Sequence, residues 1–174
     1  MKLIKKIGLF LTAGLLCLNA IAQTNNDIVD VAVGSADHTT LVAAVKAADL
    51  VATLKSKGPF TVFAPTNAAF EKLPQGTVAS LLKPENKSAL AGILTYHVVS
   101  GNLDAKKVLS AIKKGNGKAV LTTVVGGKLS ASVENGKVVL TDEKGGKATV
   151  TVTDLNAGNG VIHVIDAVLL PKAK

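Results

Sequence analysis

Three histidines, His38, His97 and His163, are the side chains of this 174-residue chain whose ordinary titration lies nearest neutrality. They are widely separated, and none stands in an H-E-x-x-H or other short metal-ligand spacing. Brought together by the fold, they could hold a metal ion or haem. Left apart, they are structural or surface groups, and the spacing favours that reading. The serines sit in no G-x-S-x-G elbow. Asp142-Glu143 are adjacent acids between two strand-like stretches, which predicts a solvated turn rather than a catalytic carboxylate pair. The glycine clusters fall between strands, and none forms the G-x-x-x-x-G-K-[ST] phosphate loop. No nucleophile, metal cluster or cofactor box is legible, so the expectation is a protein without catalysis, metal or cofactor.

Composition narrows the partners. The net charge is +8, yet every basic residue is a lysine. Arginine is the usual bidentate reader of phosphate and guanine, and it is absent. After the first 22 residues the aromatics are Phe60, Phe63, Phe70 and Tyr96, with no tryptophan. Three of them crowd into one segment, as core residues do, rather than forming a stacking platform. Nucleic acid is therefore not an expected partner. A lysine-coated surface keeps the protein soluble and leaves weak attraction to acidic polysaccharide open.

The N-terminus reads as an export signal. Lys2, Lys5 and Lys6 precede an uncharged apolar run, Ile7 to Leu18, and Ala20-Ile21-Ala22 supplies small residues before the polar Gln23. The run is shorter than the ~20 residues that span a bilayer. The expected organisation is a cleaved signal peptide over 1–22, a polar lead-in over 23–26 and one domain over 27–172. Leu15-Leu16 before Cys17 argue against lipid attachment, and cleavage after Ala22 removes the only cysteine. The exported product, secreted or periplasmic, would then rely on its apolar core without disulfides or stable membrane insertion.

The elements follow from periodicity. Asp27 can cap a helix over Ile28 to Val33, and Leu41, Ala44, Val45 and Ala48 line one face of a second. Leu50, Val51 and Leu54 suit a short third helix, ended by Gly58-Pro59. Phe60 to Phe63 is a β-run, after which Thr66 or Asn67 can cap a helix containing Phe70. Further helices are predicted through Leu82, from Glu85 to about His97, and over Asp104 to Ile112. From Lys118 the pattern alternates, with Asn135-Gly136 as a two-residue hairpin signal and strands over Val138 to Thr141, Ala148 to Thr153 and Val161 to Ile165. Helices first and strands last predict an α+β fold.

Three segments carry a family resemblance. Phe60 through Phe70 (F-T-V-F-A-P-T-N-A-A-F) resembles the first signature box of fasciclin-like domains. Asn159 through Pro171 resembles the second, and Leu94-Thr95-Tyr96-His97-Val98-Val99 resembles the central Tyr-His motif. The resemblance implies a wedge or sandwich of mostly antiparallel strands flanked by several short helices. Within it Phe63, Pro65, Thr66, Asn67, Phe70, Gly160, His163 and Asp166 take the structural motif positions. It also implies adhesion or cell-surface and matrix interaction without catalysis. In some relatives the Tyr-His region and an Asp-Ile pair before the second box are implicated in receptor binding; here those positions are Tyr96, His97, Asp154 and Leu155, with leucine in place of isoleucine. Ser100 stands where a proline often follows the Tyr-His motif. The apolar neighbours of Tyr96, His97 and His163 point to buried, hydrogen-bonded side chains.

The expected function is a non-catalytic extracellular or periplasmic binding or adhesion module for a surface protein, matrix protein or polysaccharide. The alternative is a periplasmic small-ligand, metal or haem-binding protein using the histidines. Neither the partner nor the oligomeric state is written in the sequence.

Overall fold

The computed structural model describes residues 26–172; the predicted signal peptide and most of the polar lead-in lie outside the described residues. The first half is a layer of short helices. α1 (Ile28–Val33) opens on a reciprocal cap: Asp27 accepts from the N–H groups of Val29 and Asp30, and the Asp30 carboxylate accepts from Asp27 N–H. α2 (Thr39–Ala47) follows a 3-10 turn and α3 (Val51–Leu54) completes the first group. α2 has no side-chain cap of its own. Asn67 supplies one from elsewhere, accepting at 3.0 Å from Thr40 N–H and donating at 3.0 Å to the Ala36 carbonyl. Thr66 is the local cap of α4 (Asn67–Glu71), with Oγ1 3.2 Å from Ala69 N. The two residues that compete for one cap in the sequence therefore serve two different helices.

α5 (Thr77–Leu81) and α6 (Lys87–Tyr96) complete the layer. α7 (Ala105–Lys114) is capped by Asp104, buries Val108 and Ile112, and ends on Lys113 and Lys114, which suit the negative end of its dipole.

Seven strands make one sheet: β1 (Phe60–Pro65), β2 (Val98–Ser100), β3 (Lys118–Thr122), β4 (Lys128–Glu134), β5 (Lys137–Thr141), β6 (Lys147–Ala157) and β7 (Gly160–Ile165), in the order β2-β1-β7-β6-β5-β4-β3. β1 and β7 run parallel; the other pairs are antiparallel, as the predicted α+β wedge requires. The ends nearly meet, for Val99 bridges Thr123 and Val124 N–H donates to the Val98 carbonyl at 2.8 Å. Joining the ends removes most of the open edge that a sheet otherwise exposes.

Two cores result. The helices cover one face of β1 and β7, burying Val62, Ala64 and Ile162 with Leu41, Val45, Leu54, Phe70, Leu90 and Leu94. The curled sheet encloses the other, with Phe63, Tyr96, Leu121, Leu129, Leu140, Ile165 and Leu169, plugged by Val108 and Ile112 of α7. β1 and β7 are thus buried on both faces and read as continuous apolar runs, whereas β3 and β4 alternate. Gly160 stands where β7 starts against β1: a Cβ there would collide with the Phe60 carbonyl and come within 2.9 Å of Ile28 Cδ1.

The Asn67 bridge is testable. Asn67→Ala leaves the first turn of α2 uncapped, which should cost about 1–2 kcal/mol in urea unfolding. An unchanged midpoint would show that water caps α2 equally well.

Candidate functional site

The three signature segments converge in space. In the β1–β7 register Phe63 lies opposite His163, and their rings stack with centroids 5.6 Å apart and planes 25° from parallel. Phe63 N–H donates to the His97 carbonyl at 2.9 Å. First box, Tyr-His motif and second box are therefore one contiguous unit.

Each histidine there is fixed as a single neutral tautomer. A carbonyl only accepts, so the 2.8 Å contact from His97 Nδ1 to the Ile93 carbonyl places the proton on Nδ1. Nε2 then accepts from Leu169 N–H at 3.0 Å. His163 has the opposite arrangement: Nε2–H donates to the Leu103 carbonyl at 2.7 Å, and Nδ1 accepts from Asp154 N–H at 3.3 Å. Complete burial pushes the His97 pKa down to about 4, against weaker opposing help from the Ile93 carbonyl and Asp142. His38 stands elsewhere, with Nδ1 2.8 Å from Ser35 Oγ. Its Nε2 is buried without a hydrogen-bond partner, and burial lowers its pKa while Asp37 and the Ala64 backbone weakly oppose. Among the described residues no three His, Cys, Asp or Glu side chains are grouped to hold a metal ion.

Tyr96 is 0 % exposed and His97 2 % exposed, so as folded neither offers surface to a partner. The Tyr96 hydroxyl donates to the Lys128 carbonyl at 2.8 Å and accepts from Glu143 N–H at 3.3 Å, tying α6 to β4 and to the β5–β6 turn. Burial pushes its pKa up to about 12. The ring packs so closely on Gly127 that a Cβ there would lie 2.5 Å from Tyr96 Cε2. Asp154 is exposed, with φ of 60°, and its carboxylate accepts at 2.8 Å from Ala105 N–H at the start of α7. Leu155 beside it packs into the helical core. Asp166 accepts from Thr149 N–H at 2.7 Å, which pins β6 to the chain just after β7. Pro65, at the end of β1, is paired with Ile165.

The Asp142-Glu143 turn corrects the sequence expectation. Asp142 is buried, not solvated: its carboxylate accepts from Lys144, Gly146 and Leu170 N–H groups at 2.7 to 2.9 Å. Glu143 accepts from Lys128 and Lys172 N–H groups at 3.2 and 3.4 Å. Both acids fasten the segment that follows β7. Three of the donors they accept from, the Lys128, Leu170 and Lys172 N–H groups, are distant in sequence, and no local pattern announces them.

A second feature escaped the sequence altogether. A cavity of about 250 Å³ lies between the helical layer and the sheet, walled by residues that include Val45, Leu54, Phe60, Leu94 and Ile162. At roughly 24 cal/mol per Å³, a sealed void of this size would cost on the order of 6 kcal/mol. Exposed Val33 and Lys46 also line it, so it reaches solvent, and the open end lowers that cost.

A fasciclin-domain family model matches residues 36–171, the span that carries all three converging segments. The chain belongs to the fasciclin family. Protein sll1483 of Synechocystis is 54 % identical to it over 145 residues, which cover 83 % of this chain and 73 % of that protein. Immunogenic protein MPB70 of Mycobacterium bovis is 38 % identical over 159 residues, 88 % of this chain and 69 % of that one. The structure of a FAS1 domain pair from the insect cell adhesion molecule Fasciclin I superposes with a TM-score of 0.72. At 18 % identity that likeness speaks for the fold; it covers 86 % of this chain and 51 % of the pair. The fasciclin domain described here is thus an α+β wedge whose signature residues meet at its centre.

Two measurements test that centre. The folded His97 pKa of about 4 lies below its ordinary 6.5, so between those values the unfolded chain binds more protons. Stability from this group is full above pH 6.5 and is lost as pH falls towards 4, by on the order of 3 kcal/mol. Urea midpoints at pH 7 and pH 4.5 should drop further for the native protein than for His97→Gln; an equal drop rejects the assignment. Tyr96→Phe removes one hydroxyl that serves two backbone groups. It should cost about 1–3 kcal/mol, read as a fall of several degrees in melting temperature, and an unchanged melting temperature would show that the hydroxyl bridge carries no stability.

Proposed function

We propose that this protein is a secreted or periplasmic, non-catalytic binding module whose outer surface engages a cell-surface protein, matrix protein or polysaccharide. The observation that carries this reading is the use made of the signature side chains. Tyr96, His97, His163 and Asp142 spend their polar atoms on internal partners, which supports a scaffold role over an acid–base or ligand-exchanging one. Family membership, with a cell adhesion molecule among the structural neighbours, supports adhesion as the purpose of the scaffold. Among the described residues no helix is long and apolar enough to cross a membrane, and the N-terminal pattern supports export.

Within this reading the four positions suggested by family resemblance divide into two kinds. Tyr96, His97 and Leu155 act by positioning, because they are buried or half-buried. Asp154 is the one that faces solvent, at the junction of β6 and α7. Contact with a partner would fall around that junction and on the lysine-rich exterior.

The purified protein, immobilised and offered matrix proteins, glycans and extracts of its native envelope, should retain a target that a charge-matched control does not. Asp154→Asn should weaken that retention severalfold with little change in melting temperature. Retention no better than the control across the whole panel would reject the adhesion reading.

A further inference from the structure

The cavity under the helical layer has a wall and a rim of different chemistry. Val45, Leu54 and Ile162 are buried and Phe60 and Val51 half-buried, so the wall is mostly hydrocarbon, with Thr53, Thr95 and His97 as its polar members. A buried water needs two to four polar partners, and this wall supplies almost none. The space suits an apolar occupant. Its volume of about 250 Å³ exceeds the ~150 Å³ cavity that takes up benzene and falls just short of the ~300–1,000 Å³ of drug-sized sites. A short extended chain matches it better than a single small ring or a large cofactor.

The rim carries charge. Lys55 is engaged by both Asp27 and Asp30 at 2.9 and 2.7 Å, a trio with one net negative charge. Lys46, near the end of α2, lines the same cavity, is exposed, and makes no ion pair among the described residues.

We propose that this cavity binds the apolar chain of a small lipid, acyl or isoprenoid. The chain lies between α1, α2 and α3 on one side and β1 and β7 on the other. An acidic head group sits beside the Lys46 ammonium; a neutral one stays in water. The proposal is independent of the adhesion reading, since it concerns the interior of the helical layer and not the outer surface.

The full protein is titrated separately with decanoate and with geraniol, by calorimetry and by NMR with a ¹³C-labelled ligand. Both should bind saturably, with magnetisation transfer from the terminal ligand methyl groups to Val45, Leu54 and Ile162. Val42→Phe, which adds a ring to the lining, should weaken both ligands at least tenfold while the melting temperature holds or rises. If that variant does not fold, Ala32→Leu fills the same space from α1 with less bulk. Lys46→Ala should weaken decanoate about fivefold and leave geraniol unchanged; equal affinity for decanoate would remove the head-group assignment. No saturable binding of either chain, contacts confined to other residues, or full binding by a folded filled-cavity variant would overturn the proposal.

Discussion

The parallel pairing of β1 with β7 is the constraint on which the rest of this fold depends. Antiparallel neighbours can be joined by a hairpin, but a parallel pair needs a long crossover. Here the crossover is nearly the whole domain: α4 to α7 and β2 to β6 all lie between the two strands. Their contact therefore divides the molecule. One face of the pair must be covered by helices, the other enclosed by the strands that intervene. The register that places Phe63 against His163 and Pro65 against Ile165 fixes where both cores begin. A one-residue slip would exchange the two faces and turn the His163 ring into the helical layer.

Histidine suits this junction because a neutral imidazole donates from one nitrogen and accepts at the other. His97 joins the end of α6 to the backbone after β7; His163 joins β7 to the segment before α7 and to Asp154. A carboxylate could only accept and an ammonium could only donate. The two rings sit in opposite tautomers because their carbonyl partners lie on opposite sides. Asp154 extends the chain of dependence: His163 receives its N–H, and its carboxylate in turn receives the first N–H of α7. Positions that resemble a recognition motif in the linear sequence are thus consecutive links between the central strands and the plug of the second core.

What the sequence disclosed follows the range of the interactions concerned. The Asp27 cap, the helix predicted from Asp104 and the Asn135-Gly136 turn are local, and each is where the pattern places it. The alternation of β3 and β4 is equally local in origin. Asn67 is different, because it caps α2 across 27 residues, and Asp142 meets Leu170 across 28. Nothing near either residue reveals its partner. β2 is short and follows α6 at once, so its strand character comes from pairing with β1 rather than from a run of its own. The family resemblance compensated for part of this, because the signature boxes mark the very strands whose long-range contact no periodicity can show.

The two cores are filled to different degrees, and the cause lies in the lengths of their elements. The enclosed core is bounded by longer strands, with Leu129, Ala131 and Leu140 fully buried and Tyr96 reaching across to the Lys128 carbonyl. The helical core is assembled from pieces as short as α3, four residues long and without a side-chain cap of its own. Ala32 of α1 and Ala64 of β1 line the open space, and residues this small cannot fill what several helix ends leave between them. A void that a continuous helix would close with one large side chain persists here as the 250 Å³ cavity. The nearly closed sheet and its hydrogen-bonded centre thus form the better-filled core, and the open space belongs to the helical layer.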